Sequence, residues 1–205
     1  MTLPDELAEV LGEPPVPEGT WERAAGYVSA AALRRRVPAE ELAARVRGLD
    51  GVAGVAVEGR GFLRIVLTEP PLDAEPAAIP FQPVWPDFPR TWDNPGFVVR
   101  YGHARACAVL RWAGQLGVPG GFEARELSDR HHRAVLRVLA ELPGRLVSRE
   151  PGWEGYLLRL ALAYHDAHER APAVPKGDEE PGAVHAARVR VADVVRKVLP
   201  GPDRI

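Results

Sequence analysis

Apolar positions follow two different rhythms along this chain, with a proline-rich interval between them. Leu3 to Leu11 predicts a short helix closed by Gly12 and Pro14-Pro15. Trp21, Ala24, Ala25, Val28 and Ala32 recur at helical spacing and predict a helix from Trp21 to Arg35. Pro38, at a first-turn position, opens another with Leu42, Ala43 and Val46 on one face. After Gly48 the period shortens. Val52, Val55 and Val57 lead into Glu58-Gly59-Arg60-Gly61, and Phe62 to Leu67 follows, a pattern that reads as a β-hairpin. Residues 1–67 therefore read as a small α+β unit.

Residues 68–95 contain eight prolines in 28 positions, which precludes a regular helix or a central strand. Trp85, Phe88 and Trp92 predict an extended linker pinned to a domain surface by its aromatics, and a proline-rich ligand for another protein is the competing reading. Beyond it, residues 96–205 predict four helices: Phe97 to Gln115, Glu123 to Leu142, Trp153 to Arg170 and Ala183 to Leu199. Short connections make these a helical bundle. The stretch 172–182 is polar, rich in turn formers and reads as mobile. The fold class expected is α+β, mainly α.

Composition sharpens this picture in two places. The formal net charge of −2 hides a gradient: residues 1–95 hold 9 Lys+Arg against 15 Asp+Glu, and residues 96–205 hold 17 against 13. All six histidines lie in the second part, which hints that it faces a polyanion. Cys107 is the single cysteine, so an intramolecular disulfide and a multi-cysteine zinc site are excluded. With no apolar run of about 20 residues and no signal-peptide pattern at the acidic N-terminus, a reducing, cytoplasmic setting without a membrane is the default expectation.

On the Phe97 helix, Val98, Tyr101, Arg105, Val109 and Trp112 share one face, read as mostly core. Arg105 on that face predicts a guanidinium tying helices together through a carbonyl or a carboxylate. Arg100, His103, Cys107 and Arg111 form a second stripe, suited either to a ribose–phosphate backbone or to plain solvation. His165-Asp166 and His168-Glu169 look metal-like, but further ligands would have to converge from His131, His132 or Asp193, and no HExxH is present, so no metal or other cofactor is expected. Walker, GxGxxG and GxSxG signatures are absent.

From Asp93 to Arg105 the chain reads DNPGFVVRYGHAR. This resembles the opening of the anticodon-binding helical domain of arginyl-tRNA synthetases, NPxxYVQYAHAR. Trp153 to Ala161 is similar to that family's YLxxLA helix and runs on into Ala163-Tyr164-His165. Ala187 to Val191 resembles ARLRL, Pro202 to Ile205 resembles a terminal PERM, and Gly59 to Ile65 resembles GPGFIN at the end of the family's N-terminal domain. The resemblance implies a DALR-like anticodon-binding bundle of the class I synthetase type over residues 96–205, a synthetase-like N-terminal domain over residues 1–67, and residues 68–95 in place of the catalytic domain. HIGH-like and KMSKS-like motifs are absent.

The function this implies is a non-catalytic protein binding tRNA or tRNA-like RNA. Arg100, His103 and Arg111 would meet phosphates, with Tyr101, Arg105 or Tyr164 nearer the bases and His168 and Arg204 on the same surface. Two alternatives remain open: a protein-interaction or regulatory module on the same scaffold, acting through the proline-rich stretch, and an enzyme, either a ligase homologue with residual activity or an HD-type metal hydrolase.

Overall fold

The computed structural model describes residues 2–81, 83–86 and 88–201. Leu7 and Leu11, one helical turn apart, are fully buried and seat helix α1 (Leu3–Leu11). The backbone N–H of Thr2 donates to Asp5 Oδ2 at 2.9 Å and ties down its first turn. Helix α3 (Ala39–Arg47) buries the expected Leu42, Ala43 and Val46, with Pro38 just outside as its cap. The expected hairpin is present as β3 (Val52–Glu58) and β4 (Phe62–Leu67), with Leu63, Ile65 and Leu67 alternating into the core.

The sheet is larger than that hairpin. Four antiparallel strands run in the order β1-β2-β4-β3, where β1 is Val16–Glu18 and β2 is Ala25–Ser29. The helix expected over Trp21 to Arg35 is therefore mostly a strand, followed by a single short helix α2 (Ala31–Arg35). A period of two wins because Ala25, Tyr27 and Ser29 are the buried positions. β2 is hydrogen-bonded to a neighbour on both sides, which outweighs the local alanine-rich preference. Trp21, with φ of 63°, cannot open a helix, and its Nε1 donates to the Gly26 carbonyl at 3.0 Å.

Both outer strands have carbonyls engaged by arginines. Arg47 donates from Nε and Nη2 to the Val55 carbonyl at 3.2 and 3.1 Å. Arg137 reaches from the helical half to the carbonyls of Gly19 and Pro17, each at 3.0 Å.

No helix or strand occurs among the described residues of 68–94. This segment is pinned, as expected, but by Leu72, Ile79, Phe81 and Trp85, which pack on the core. Lys197 adds a polar tie through Nζ to the Ala74 carbonyl at 3.0 Å and Glu75 Oε1 at 2.7 Å. Of the other two aromatics expected to pin it, Phe88 is 68% exposed and does not turn inward, whereas Trp92, 50% exposed, lies against the rings of Phe97, Tyr101 and His165.

The helical half comprises α4 (Pro95–Gln115), α5 (Arg130–Leu139), α6 (Leu142–Leu146), α7 (Trp153–Arg170) and α8 (Ala183–Val198). The helix expected from Glu123 to Leu142 is broken into a 3-10 turn at Ala124–Glu126, then α5 and α6. Asp129 is the reason for one break: its carboxylate accepts from the backbone N–H groups of His131 and His132 at 3.1 and 2.9 Å, starting a helix there. Pro143 sits in the first turn of α6 rather than ending a helix. The stretch 172–182 is also more anchored than its polarity suggests. Ala173 is buried, Arg188 donates to the Pro172 carbonyl at 2.9 Å, and the Gly182 N–H donates to His185 Nδ1 at 3.1 Å.

Helix α4 packs on both α7 and α8 through a seam of small residues. Gly102, Ala106 and Ala113 line it with Val98 and Val109. A Cβ on Gly102 would lie 3.1 Å from Leu199 Cδ1 and 3.3 Å from Ala161 Cβ, so these helices approach to glycine distance. This corrects the expected core face: Trp112 is 47% exposed, and Tyr101 and Arg105 border the core rather than fill it. Buried side chains of the sheet and the helices belong to one continuous apolar cluster. Among the described residues no helix is long and apolar enough to cross a membrane.

Candidate nucleic-acid interface

Asn94 positions the site. Its Oδ1 caps α4 by accepting from Gly96 N at 2.9 Å, while its Nδ2 donates to the carbonyls of Pro86 and Pro89 at 3.0 and 2.8 Å. The same buried amide thus starts the helix and closes the loop before it. Gly96 lets the segment lie against the helix, because a Cβ there would meet Trp85 Cβ at 2.7 Å.

This arrangement sets Trp92 over the surface shared by α4 and α7. Its ring centroid lies 5.9 Å from Phe97, 5.5 Å from Tyr101 and 4.5 Å from His165. Phe97 and Tyr101 are themselves stacked at 5.5 Å. The Arg105 guanidinium sits 4.5 Å from the Tyr101 ring centroid and donates to the Tyr101 hydroxyl at 2.6 Å. It also pairs with Glu169 of α7, which is the carboxylate tie expected of it. The result is a partly exposed aromatic surface with a guanidinium on it, the combination on which unstacked bases are held.

The other expected residues fall in different surroundings. Arg100 donates from Nη2 to the Pro86 carbonyl at 3.1 Å, so it braces the loop. Arg111 is exposed further along α4. His103 is half-buried, and burial together with nearby Arg196 holds its pKa below the ordinary imidazole value. His168 is shifted the same way by burial and by Arg105, with Glu169 opposing, and its Nδ1 is buried without a hydrogen-bond partner. Neither imidazole therefore supplies a cation at neutral pH. Tyr164 is 2% exposed and lies inside the bundle, where burial raises its phenol pKa, so it does not lie on this surface. Arg204 lies outside the described residues.

Sequence reasoning assigned Trp92 to anchoring and His165 to a metal-like pair, and missed that the two meet. No spacing in the sequence signals that contact, since His165 lies 73 residues beyond Trp92.

The metal-like residues are dispersed. His132 is buried against Asp129, Asp193 is held by Arg190, Arg196 and Lys197, and His165 faces Trp92. Among the described residues no group of three or more His, Cys, Asp or Glu side chains is placed to hold a metal ion. An apolar cavity of about 180 Å³ lies elsewhere, between Pro14, Pro15, Tyr27, Leu72, Leu139 and Leu142, and brings no catalytic grouping together.

Comparison with known proteins relates part of this chain to arginine–tRNA ligases. It is 40% identical over 117 residues to the arginine–tRNA ligase of Clavibacter sepedonicus, a match spanning 54% of this chain and 21% of that protein. With the arginine–tRNA ligase of Frankia alni it shares 37% identity over 119 residues, again 54% of this chain and 21% of that protein. The matches thus span about a fifth of the length of these curated relatives. No family model matches the chain. No solved structure matches it.

Proposed function

We propose that this chain, related to arginine–tRNA ligases over part of their length, is a non-catalytic protein that binds tRNA or a tRNA-like RNA. The observation that carries the reading is the partly exposed Trp92–Tyr101–His165 cluster with Arg105 on it. In this reading residues 96–205 form a DALR-like anticodon-binding bundle, residues 1–67 a synthetase-like N-terminal domain, and residues 68–95 stand where a ligase carries its catalytic domain. Arg111 meets phosphate, and the aromatic cluster meets bases. His103 and His168, half-buried elsewhere on the helical half, join as cations only in acid.

A gel-shift titration with total tRNA tests this. Retardation is expected at low salt and should fall steeply as salt rises, because phosphate contacts release counterions. Arg111→Ala should flatten the log–log salt slope by about one. Affinity should rise as the pH is lowered below 6.5, the ordinary imidazole value, since His103 and His168 gain charge only there. Absence of any shift at low salt overturns the reading. ATP–pyrophosphate exchange with arginine should stay at background, and exchange above it would restore the enzyme reading.

A second reading, a protein-interaction module, draws on Trp112 and Leu116, two half-exposed apolar side chains one turn apart near the end of α4. A partner that survives nuclease treatment and is lost on Trp112→Ala would favour it.

A further inference from the structure

We propose that the loop from Phe88 to Asn94 is a second nucleic-acid contact, a stacking site for unpaired bases beside the α4–α7 cluster. This rests on the RNA reading above and names the form of RNA it requires, a single-stranded loop rather than a duplex.

The loop is closed at its base and open at its tip. Asn94 holds the Pro86 and Pro89 carbonyls, and Arg100 holds Pro86 a second time. Immediately before it, Ile79, Phe81 and Trp85 pack on the core. At Pro86 the inward packing stops. Phe88 is among the most exposed large apolar side chains of the described residues, and the Arg90 guanidinium lies 5.0 Å from its ring centroid. Two residues further on, Trp92 is half exposed and touches Tyr101 and His165.

Phe88, Arg90 and Trp92 thus alternate aromatic, cation, aromatic along a fixed loop that ends against a second aromatic–guanidinium pair. A solvent-facing ring gains little for the fold, and truncating it would cost little stability. A ring carrying a cation suits a planar base on an anionic backbone, because the base stacks on the ring while the guanidinium meets phosphate. Phe88 and Trp92 each receive one unpaired base, and Arg90 meets the phosphate between them.

The test uses the full chain with two RNAs, a hairpin carrying a wide single-stranded loop and the same stem as a blunt duplex. Phe88→Ala is expected to weaken binding to the open-loop hairpin about tenfold, the scale of one lost base stack, and to leave the duplex unchanged. Phe88→Tyr should restore it, and Trp92→Ala should act on the hairpin in the same direction. Arg111→Ala should weaken both RNAs alike. If Phe88→Ala and Trp92→Ala leave hairpin binding intact while Arg111→Ala weakens it, the loop has no such role and the RNA reading stands. If the unaltered chain binds neither RNA at low salt, both fall. If Phe88→Ala instead releases a nuclease-resistant protein partner without changing RNA affinity, the loop is a protein-docking element and the proposal is overturned.

Discussion

Gly102→Leu will lower the unfolding midpoint by about 10 °C. Helix α4 meets Ala161 of α7 and Leu199 at this glycine, and even a single added carbon would lie 3.1 Å from Leu199 Cδ1. Four added carbons cannot be absorbed between three packed elements without moving one, a cost of about 3 kcal/mol. A chain of this length loses about 2–4 °C per kcal/mol. Gly102→Ala is the informative control. Its methyl group presses on the same two neighbours, but alanine is better than glycine in a helix by about 1 kcal/mol, so the two effects nearly cancel. Thermal melts of both variants check this. A leucine variant as stable as the parent would mean that α4 and α7 are not held at glycine distance. RNA binding should fall with the leucine variant as well, because Trp92 and Arg105 both reach across that seam.

Asp129→Ala will cost about 3 kcal/mol, measured by denaturant unfolding. The side chain caps α5, worth about 1 kcal/mol. It also bonds His132 Nδ1 at 3.1 Å and Arg188 Nη2 at 3.4 Å, and both lose a charged partner in a largely buried setting. Asp129→Asn keeps the cap and should lose about half as much. Burial alone would raise the Asp129 pKa, but the hydrogen bonds and charge of His132, aided by Arg188, win and hold it well below the ordinary 3.8. The sign follows. The folded state gains from this carboxylate at every pH above 3.8 and loses the gain as the pH falls through the lower folded value. Glu141, ringed by Arg145, Arg159 and Arg137, and Asp193, held by Arg196 and Lys197, act in the same direction despite burial. Stability should therefore decline below about pH 4.5, the ordinary glutamate value. The difference between the parent and Asp129→Asn should shrink along that limb. A constant difference would show that Asp129 gives no charge stabilisation.

How far the sequence discloses this molecule depends on how locally each element is decided. α1 and α7 could be read to the residue, because caps and turn formers bound them on both sides. The β3–β4 hairpin was equally plain from its alternation and its glycine turn. The segment Trp21 to Arg35 was not, since alanine spacing fits both periods and the choice falls to β4, a strand nearly 40 residues away. The break at Asp129 had a capping residue as its signal, but an uninterrupted helical pattern on either side concealed it. At the candidate site, the charged stripe of α4 was visible while its surroundings were not. Spacing placed Arg100, His103 and Arg111 together, whereas packing gives Arg100 to the proline-rich loop and half-buries His103. Trp92 and His165 could be found together only through the fold, for they are distant in sequence and no periodicity links them.

The arginines that close the two sides of the sheet have a consequence for how the molecule behaves in company. A bare outer strand is a template on which another chain can grow. Here Arg137 occupies the carbonyls of Pro17 and Gly19, and Arg47 occupies that of Val55. An approaching peptide would meet a guanidinium at either margin and would have to displace it to pair along the full length of the strand. Fibrous self-association through this sheet is thereby discouraged from both directions. Since Arg137 belongs to α5, the helices do more than stand beside the sheet: they guard it.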